Sequence, residues 1–162
     1  MAMIEVGDRA PEFVLPGLLA GVKQRFRLSE QRGKNIILAF YPFNWEPISI
    51  EQFTNYQVAH DKLLASNAEV VGISVESIMN ITAWERDIGP LDFPLCSDFW
   101  PHGEVCGSYG LLRREEPDKG ASERALCIVD TRGTLAFRRL YGRRDVPNVQ
   151  ELLDCLRTLR AA

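Results

Sequence analysis

Two stretches of the chain are apolar without alternation. NIILAFY, Asn35 to Tyr41, and VVGISV, Val70 to Val75, read as central strands covered on both faces. Between them the apolar positions change to a helical period, over about Ile48 to Ser66. At 100° per residue, Phe53, Tyr56, His60, Leu63 and Leu64 fall on one stripe. Ser49 falls on it too, four residues before Phe53 and seven before Tyr56. The phase therefore predicts a serine at the N-terminus of this helix, turned toward the body of the protein. The connection into the helix, FYPFNWEPIS, is stiffened by Pro42 and Pro47.

The remaining pattern fills in around this unit. A short strand from Phe13 to Leu15 is expected to stop at Pro16 and Gly17. A second extended piece, Phe26 to Leu28, suggests a hairpin with it. Ser29 is expected to cap a short helical turn closed by Arg32 and Gly33. Ser77 caps a helix with Ile78, Ile81, Trp84 and Ile88 on one face. Phe93 to Leu95 reads as a short strand, and Val105, Cys106 and Tyr109 lie at the spacing of a brief helix. The run Arg113 to Ser122, RREEPDKGAS, is a polar loop expected to be mobile. Arg124 to Val129 and Leu135 to Tyr141 flank Thr131-Arg132-Gly133, a hairpin signal. A last helix carries Val149, Leu152, Leu153, Leu156 and Leu159. No repeat or low-complexity tract divides residues 1–162, which read as a single domain. The order is a hairpin, βαβα, a second hairpin and a closing helix. That is an α/β fold, a central mixed sheet flanked by helices, of thioredoxin-like pattern with an N-terminal β-hairpin extension. Sites in such sheets form at the carboxyl ends of strands, and FYPFNWEPIS lies at one.

Composition narrows the function. The chain has 162 residues, 46% hydrophobic and 25% charged, with a net charge of -3. This suits a globular domain and offers no basic face for nucleic acid or an anionic membrane. No run has the length of a bilayer span, and MAMIEVGDRAPEF lacks the parts of a signal peptide, so a cytoplasmic location is expected. Cys96, Cys106, Cys127 and Cys155 show no CxxC pairing and read as free thiols in a reducing compartment. With His60 and His102 alone to join them, neither a metal site nor another cofactor is expected. His60 reads as a core histidine and His102 as a helix-start residue.

The chemistry suggested by the turn is that of a helix N-terminus. Its free N–H groups and dipole lower the pKa of a cysteine placed there and can stabilise an oxyanion. Here the sequence resembles the peroxiredoxin family along nearly its whole length. VGDRAPEFVL resembles that family's opening motif. FYPFNWEPISIEQ resembles its active-site segment, commonly FYPxDFTPVCxxE. FPLCSDFWPHGEVCGSYG resembles a segment of one-cysteine members of the alkyl-hydroperoxide-reductase E kind and of bacterioferritin-comigratory relatives. SERALCIVDTRGTL resembles the strand bearing the catalytic arginine.

The resemblance implies thiol-dependent reduction of hydrogen peroxide or organic hydroperoxides, an external thiol or thioredoxin-like reductant, and a homodimer. It places Pro42 as the proline shielding the site and Arg124 as the arginine that hydrogen-bonds peroxide and thiolate. Glu46 stands where the family has a threonine or serine that orients the peroxide, and Ser49 where it has the peroxidatic cysteine. Asn44, Trp45 and Gln52 replace the common Asp, Phe and Glu.

A hydroxyl at position 49 is barely ionised near neutrality and cannot become a sulfenic acid, so the chain as written is expected to be inactive by the family's route. Glu46 turned inward would oppose Arg124 and raise the pKa of a cysteine at position 49; outward, or paired with Arg124, is the expectation. Three origins of Ser49 stay open: an engineered Cys→Ser change, a natural loss leaving a noncatalytic binding or assembly protein of this fold, or transfer of the role to another cysteine. The four cysteines read as small buried hydrophobes rather than nucleophiles. Thr54 stands where some relatives keep a resolving cysteine, which suits a one-cysteine type, with Cys155 or Cys106 as alternative resolving partners. A more distant reading is non-redox chemistry by Glu46 and Ser49.

Overall fold

A computed structural model describes residues 3–161, with the side chain of residue 161 left aside. Its strands form one seven-stranded sheet. In chain order they are β1 (Val14–Leu19), β2 (Val22–Arg27), β3 (Asn35–Phe40), β4 (Ala68–Ser74), β5 (Leu95–Ser97), β6 (Arg124–Val129) and β7 (Leu135–Tyr141). The spatial order is β2-β1-β5-β4-β3-β6-β7. β3 pairs parallel with β4 and antiparallel with β6, so it lies near the middle of a mixed sheet. The helices are α1 (Pro47–Val58), α2 (His60–Ala65), α3 (Ile78–Ile88), α4 (Glu104–Ser108) and α5 (Val149–Ala161).

All six residues of β3 are buried, as expected of an uninterrupted apolar strand. Strand alternation divides them between two cores. Ile36, Leu38 and Phe40 join a cluster with Phe13, Phe26, Val105, Cys106 and Tyr109. Ile37 and Ala39 join one with Phe53, Tyr56, Trp84, Leu152 and Leu156. β6 alternates likewise: Ala125, Cys127 and Val129 face the first cluster, Leu126 and Ile128 the second. Arg124 has the parity of Leu126, which sends its side chain toward the α1 face.

α1 sits close to the sheet because β4 carries Gly72. A Cβ there would lie 2.6 Å from Leu95 Cδ2 and 2.8 Å from Phe53 Cε1. Any larger residue would have to displace the Leu95 and Phe53 side chains that pack there.

Several expected boundaries move. β1 runs through Pro16 and Gly17 to Leu19. Pro16 lies just outside the Gly17–Leu18 segment that pairs with β5, where its missing N–H breaks no ladder to that neighbour. The β1–β2 connection is Ala20-Gly21, both at positive φ (49° and 78°), a tight turn that lets β2 begin at Val22. Ser29 is not a cap: the short 3-10 turn Leu28–Gln31 starts after Arg27 without a side-chain cap, and Ser29 N donates to Glu12 Oε1. β5 begins at Leu95, where the pairing with β1 and β4 starts, and Phe93 precedes it.

The long helix is two helices. Ala59, at φ -89° and ψ 4°, breaks the regular ladder between them. The buried face continues across the break: Leu63 is buried and His60 half-buried, whereas Leu64, at the edge of that face, is 45% exposed. Ser77 does cap α3, accepting a hydrogen bond from Asn80 N at 3.1 Å.

Candidate active site

The site forms where β3 gives way to α1 and β6 begins alongside. The connecting turn is tied to α3. Tyr41 Oη donates to Asn44 Oδ1 at 2.8 Å, and Asn44 Nδ2 donates to Asn80 Oδ1 at 2.6 Å. Trp45 is held at φ 61°, a conformation most residues avoid, and its indole N–H donates to Asp87 Oδ2 at 2.9 Å. Glu46 then returns to extended backbone as the N-cap of α1, with Pro47 in the first turn where its missing N–H costs nothing. The Glu46 side chain does not cap the helix.

It goes instead to Arg124. Glu46 Oε1 accepts from Arg124 Nη2 at 2.8 Å. Arg124 Nη1 donates to Ser49 Oγ at 3.1 Å and to Gln52 Oε1 at 2.7 Å. Gln52 Nε2 donates in turn to Tyr56 Oη at 2.8 Å. The cap of α1 and its first two turns thus converge on one guanidinium, which the first residue of β6 supplies. The β3–β6 register explains the meeting. Phe40 pairs with Ala125, so Arg124 lies one step beyond the end of β3, level with the turn.

Ser49 and Gln52 are wholly buried, and Arg124 is 2% exposed. Burial pulls the pKa of Arg124 below its ordinary value, and the Glu46 carboxylate beside it acts in the opposite direction. Burial also raises Tyr56 well above the ordinary phenol value, against its bond with Gln52, so it remains a neutral hydroxyl.

The polar cluster borders a cleft of about 450 Å³ lined by Pro42, Glu46, Ile48, Arg124 and Tyr141, with Arg143 and Arg144 near its rim. The structure brings together all four residues singled out from sequence: Ser49, Glu46 and Arg124 in direct contact, and Pro42 in the cleft wall. Glu46 takes the paired orientation. Gln52 was missed as a partner. Its position three residues after Ser49, on the same helical face, was the available signal. Tyr141 pairs opposite Arg124 at the end of the β6–β7 hairpin and Arg143 follows it; the hairpin is predicted by sequence, but neither residue is singled out there as part of a site.

The thiols are elsewhere. Cys96, Cys106 and Cys127 are buried and Cys155 half-buried, all unpaired. Burial pushes all four upward, with the Asp98 carboxylate adding to the effect at Cys106 and Cys127 reaching about 12. His60 belongs to α2, and His102 Nε2 lies 2.6 Å from Gly120 O. Neither joins the cluster around Arg124.

Comparison with known proteins agrees with this architecture. The family model described as AhpC/TSA matches residues 6–138. The chain belongs to the AhpC/TSA family of peroxiredoxins. By family it is an oxidoreductase of the thiol-peroxidase type. A putative peroxiredoxin of Synechocystis is 32% identical over 98% of this chain and 80% of its own length. Peroxiredoxin-2 of Mus musculus is 31% identical over 97% and 78%. Among solved structures, AhpC of Mycobacterium tuberculosis superposes with a TM-score of 0.87 at 21% identity, covering 99% of this chain and 95% of that one. A reduced 2-Cys peroxiredoxin of Plasmodium vivax gives 0.89 at 22%, covering 98% and 83%. These two establish the thioredoxin-like peroxiredoxin fold. Among the described residues, no helix is long and apolar enough to cross a membrane.

Proposed function

We propose that position 49 is where peroxide is reduced in a cysteine-bearing form of this peroxiredoxin, and that the chain with Ser49 does not turn over peroxide by that route. The observation that carries this is the 3.1 Å bond from Arg124 Nη1 to Ser49 Oγ at the start of α1. A cation and a helix N-terminus converge there on one atom, the arrangement that favours a thiolate. With oxygen in place of sulfur the same groups hold a neutral hydroxyl. The group bonded to it is a donor, so nothing in that contact removes its proton.

In this reading Arg124 would hydrogen-bond thiolate and peroxide, Pro42 would shield them, and Glu46 stands at the peroxide-orienting position. The substrate class is hydrogen peroxide or organic hydroperoxides, and the reductant an external thiol or thioredoxin-like protein. A cytoplasmic homodimer is part of the same reading. Met79, Phe99 and Trp100 support it: they are 75%, 52% and 80% exposed and lie just beyond β4 and β5, whose following loops meet through Ser97 Oγ and Glu76 O. Sedimentation velocity at micromolar concentration tests it, and a monomer would refute it.

A second reading, a naturally noncatalytic binding or assembly protein, has one observation in its favour. Glu46 and Gln52, both departures from the common segment, accept from the two Arg124 amino groups without any thiolate. The mass of the protein from its natural source separates the two, since cysteine at position 49 would exclude this second reading. For the chain as it stands, the expected result in a thiol-coupled peroxide assay is a rate equal to the protein-free blank. Sustained turnover above that blank would show that a residue other than Ser49 is the nucleophile.

A further inference from the structure

Arg124 is covered on the side that faces the cleft. Its Nη1 donates inward to Ser49 and Gln52, both fully buried. Its Nη2 donates to Glu46, whose side chain is 25% exposed. Glu46 is thus the partner that stands between the guanidinium and solvent. It lines the cleft, whereas Ser49 has no exposed surface at all. An oxygen ligand arriving from the cleft meets a carboxylate already bonded to the donor it would use. A charged acceptor holds such a donor more firmly than a neutral peroxide oxygen can. Nε offers no substitute, being buried and without a partner.

We propose that Glu46 is a second block on peroxide chemistry, separate from Ser49: its carboxylate occupies the Arg124 amino group that a bound peroxide oxygen would use and closes the way from the cleft to position 49. This rests on position 49 being the peroxide-reacting position. It adds that sulfur restored at that position alone remains slow. The Glu46 carboxylate also shares the positive charge that a thiolate at position 49 would need.

The step at issue is attack of a thiolate on one peroxide oxygen. A sulfur–oxygen bond forms as the oxygen–oxygen bond breaks. Sulfur is oxidised to a sulfenic acid, and the other oxygen leaves as hydroxide, which takes a proton from solvent to become water.

The test compares Ser49→Cys with Ser49→Cys/Glu46→Thr. Circular dichroism and urea unfolding first establish that both are folded. Sulfenic acid at position 49 is then trapped with dimedone after mixing with hydrogen peroxide and read by peptide mass. The expected result is formation at least about tenfold faster in the double variant, a difference of about 1.4 kcal/mol in barrier. Rates within about twofold, both well above those of the other cysteines, would overturn the block and leave position 49 as the reacting position. If neither variant forms sulfenic acid faster than Cys96, Cys106, Cys127 and Cys155 do, both readings fall. Should the double variant not fold, Ser49→Cys/Glu46→Gln removes the charge at nearly equal volume. An increase of at least about threefold over Ser49→Cys then supports the block, and a smaller one overturns it.

Discussion

The two faces of the sheet hold their reactive atoms in opposite settings. On one face Cys96, Cys106 and Cys127 are packed among Phe, Val, Leu and Ile side chains, and burial drives their thiols away from ionisation. On the other, Ser49 lies at a helix N-terminus under a guanidinium, where ionisation of a thiol would be favoured. Sulfur sits where it is inert, and oxygen where sulfur would be active. Reactivity in this peroxiredoxin is therefore a property of the setting, and the count of four cysteines is a poor guide to it.

Alkaline pH should expose the thiol-bearing face most strongly. The Cys127 thiol ionises at about 12 in the folded chain, against an ordinary value of 9.0. Its contribution to stability is complete below pH 9 and is lost as the pH rises toward 12, because only the unfolded chain gives up the proton in that window. The loss is about 1.4 kcal/mol per pH unit for one such group, and the other buried thiols act in the same direction. Urea midpoints measured from about pH 8 to 10.5 should fall, and the slope should be shallower in Cys127→Ala. A midpoint flat across that range would contradict the assigned burial.

The arginine-bearing face should answer to mutation rather than to pH. Arg124→Met removes a buried cation and leaves Ser49 Oγ, Gln52 Oε1 and Glu46 without their donor. A cost of about 2–3 kcal/mol in urea unfolding is expected, tempered by the solvent that reaches Glu46. A neutral outcome would mean that the cluster is worth no more than the apolar packing that replaces it. The smallest effect belongs to Gln52→Leu, which keeps volume but takes one acceptor from Arg124 and the donor from Tyr56. About 1–2 kcal/mol is expected. A loss larger than that of Arg124→Met would place Gln52, not Arg124, at the centre of the cluster.

Much of this architecture was legible in the chain. NIILAFY and VVGISV announce central strands because burial on both faces leaves no alternation, and the helical period alone turns Ser49 inward. The break at Ala59 is not legible, because a periodic stripe runs on unchanged across a single residue whose dihedrals leave the helix, and Leu64 is placed inward although it lies at the edge of the stripe. β1 was cut short at Pro16 because local rules treat proline as a stop, whereas its tolerance depends on which neighbour pairs beside it. Gln52 escaped notice because an amide on a helix face is equally suited to solvent until a guanidinium is brought to it.

The sequence alone determined the strands, the turn, the inward serine and the family, because these depend on periodicity and short motifs. The meeting of Glu46, Ser49 and Gln52 at Arg124 was decided by the tertiary structure. Arg124 is 75 residues from Ser49 and 78 from Glu46 along the chain. They come together through antiparallel pairing of β6 with β3, strand parity that turns Arg124 toward α1, and a glycine in β4 that lets α1 approach. Pairing register and close approach arise between distant segments, and the orientation of Glu46 toward the guanidinium came from them.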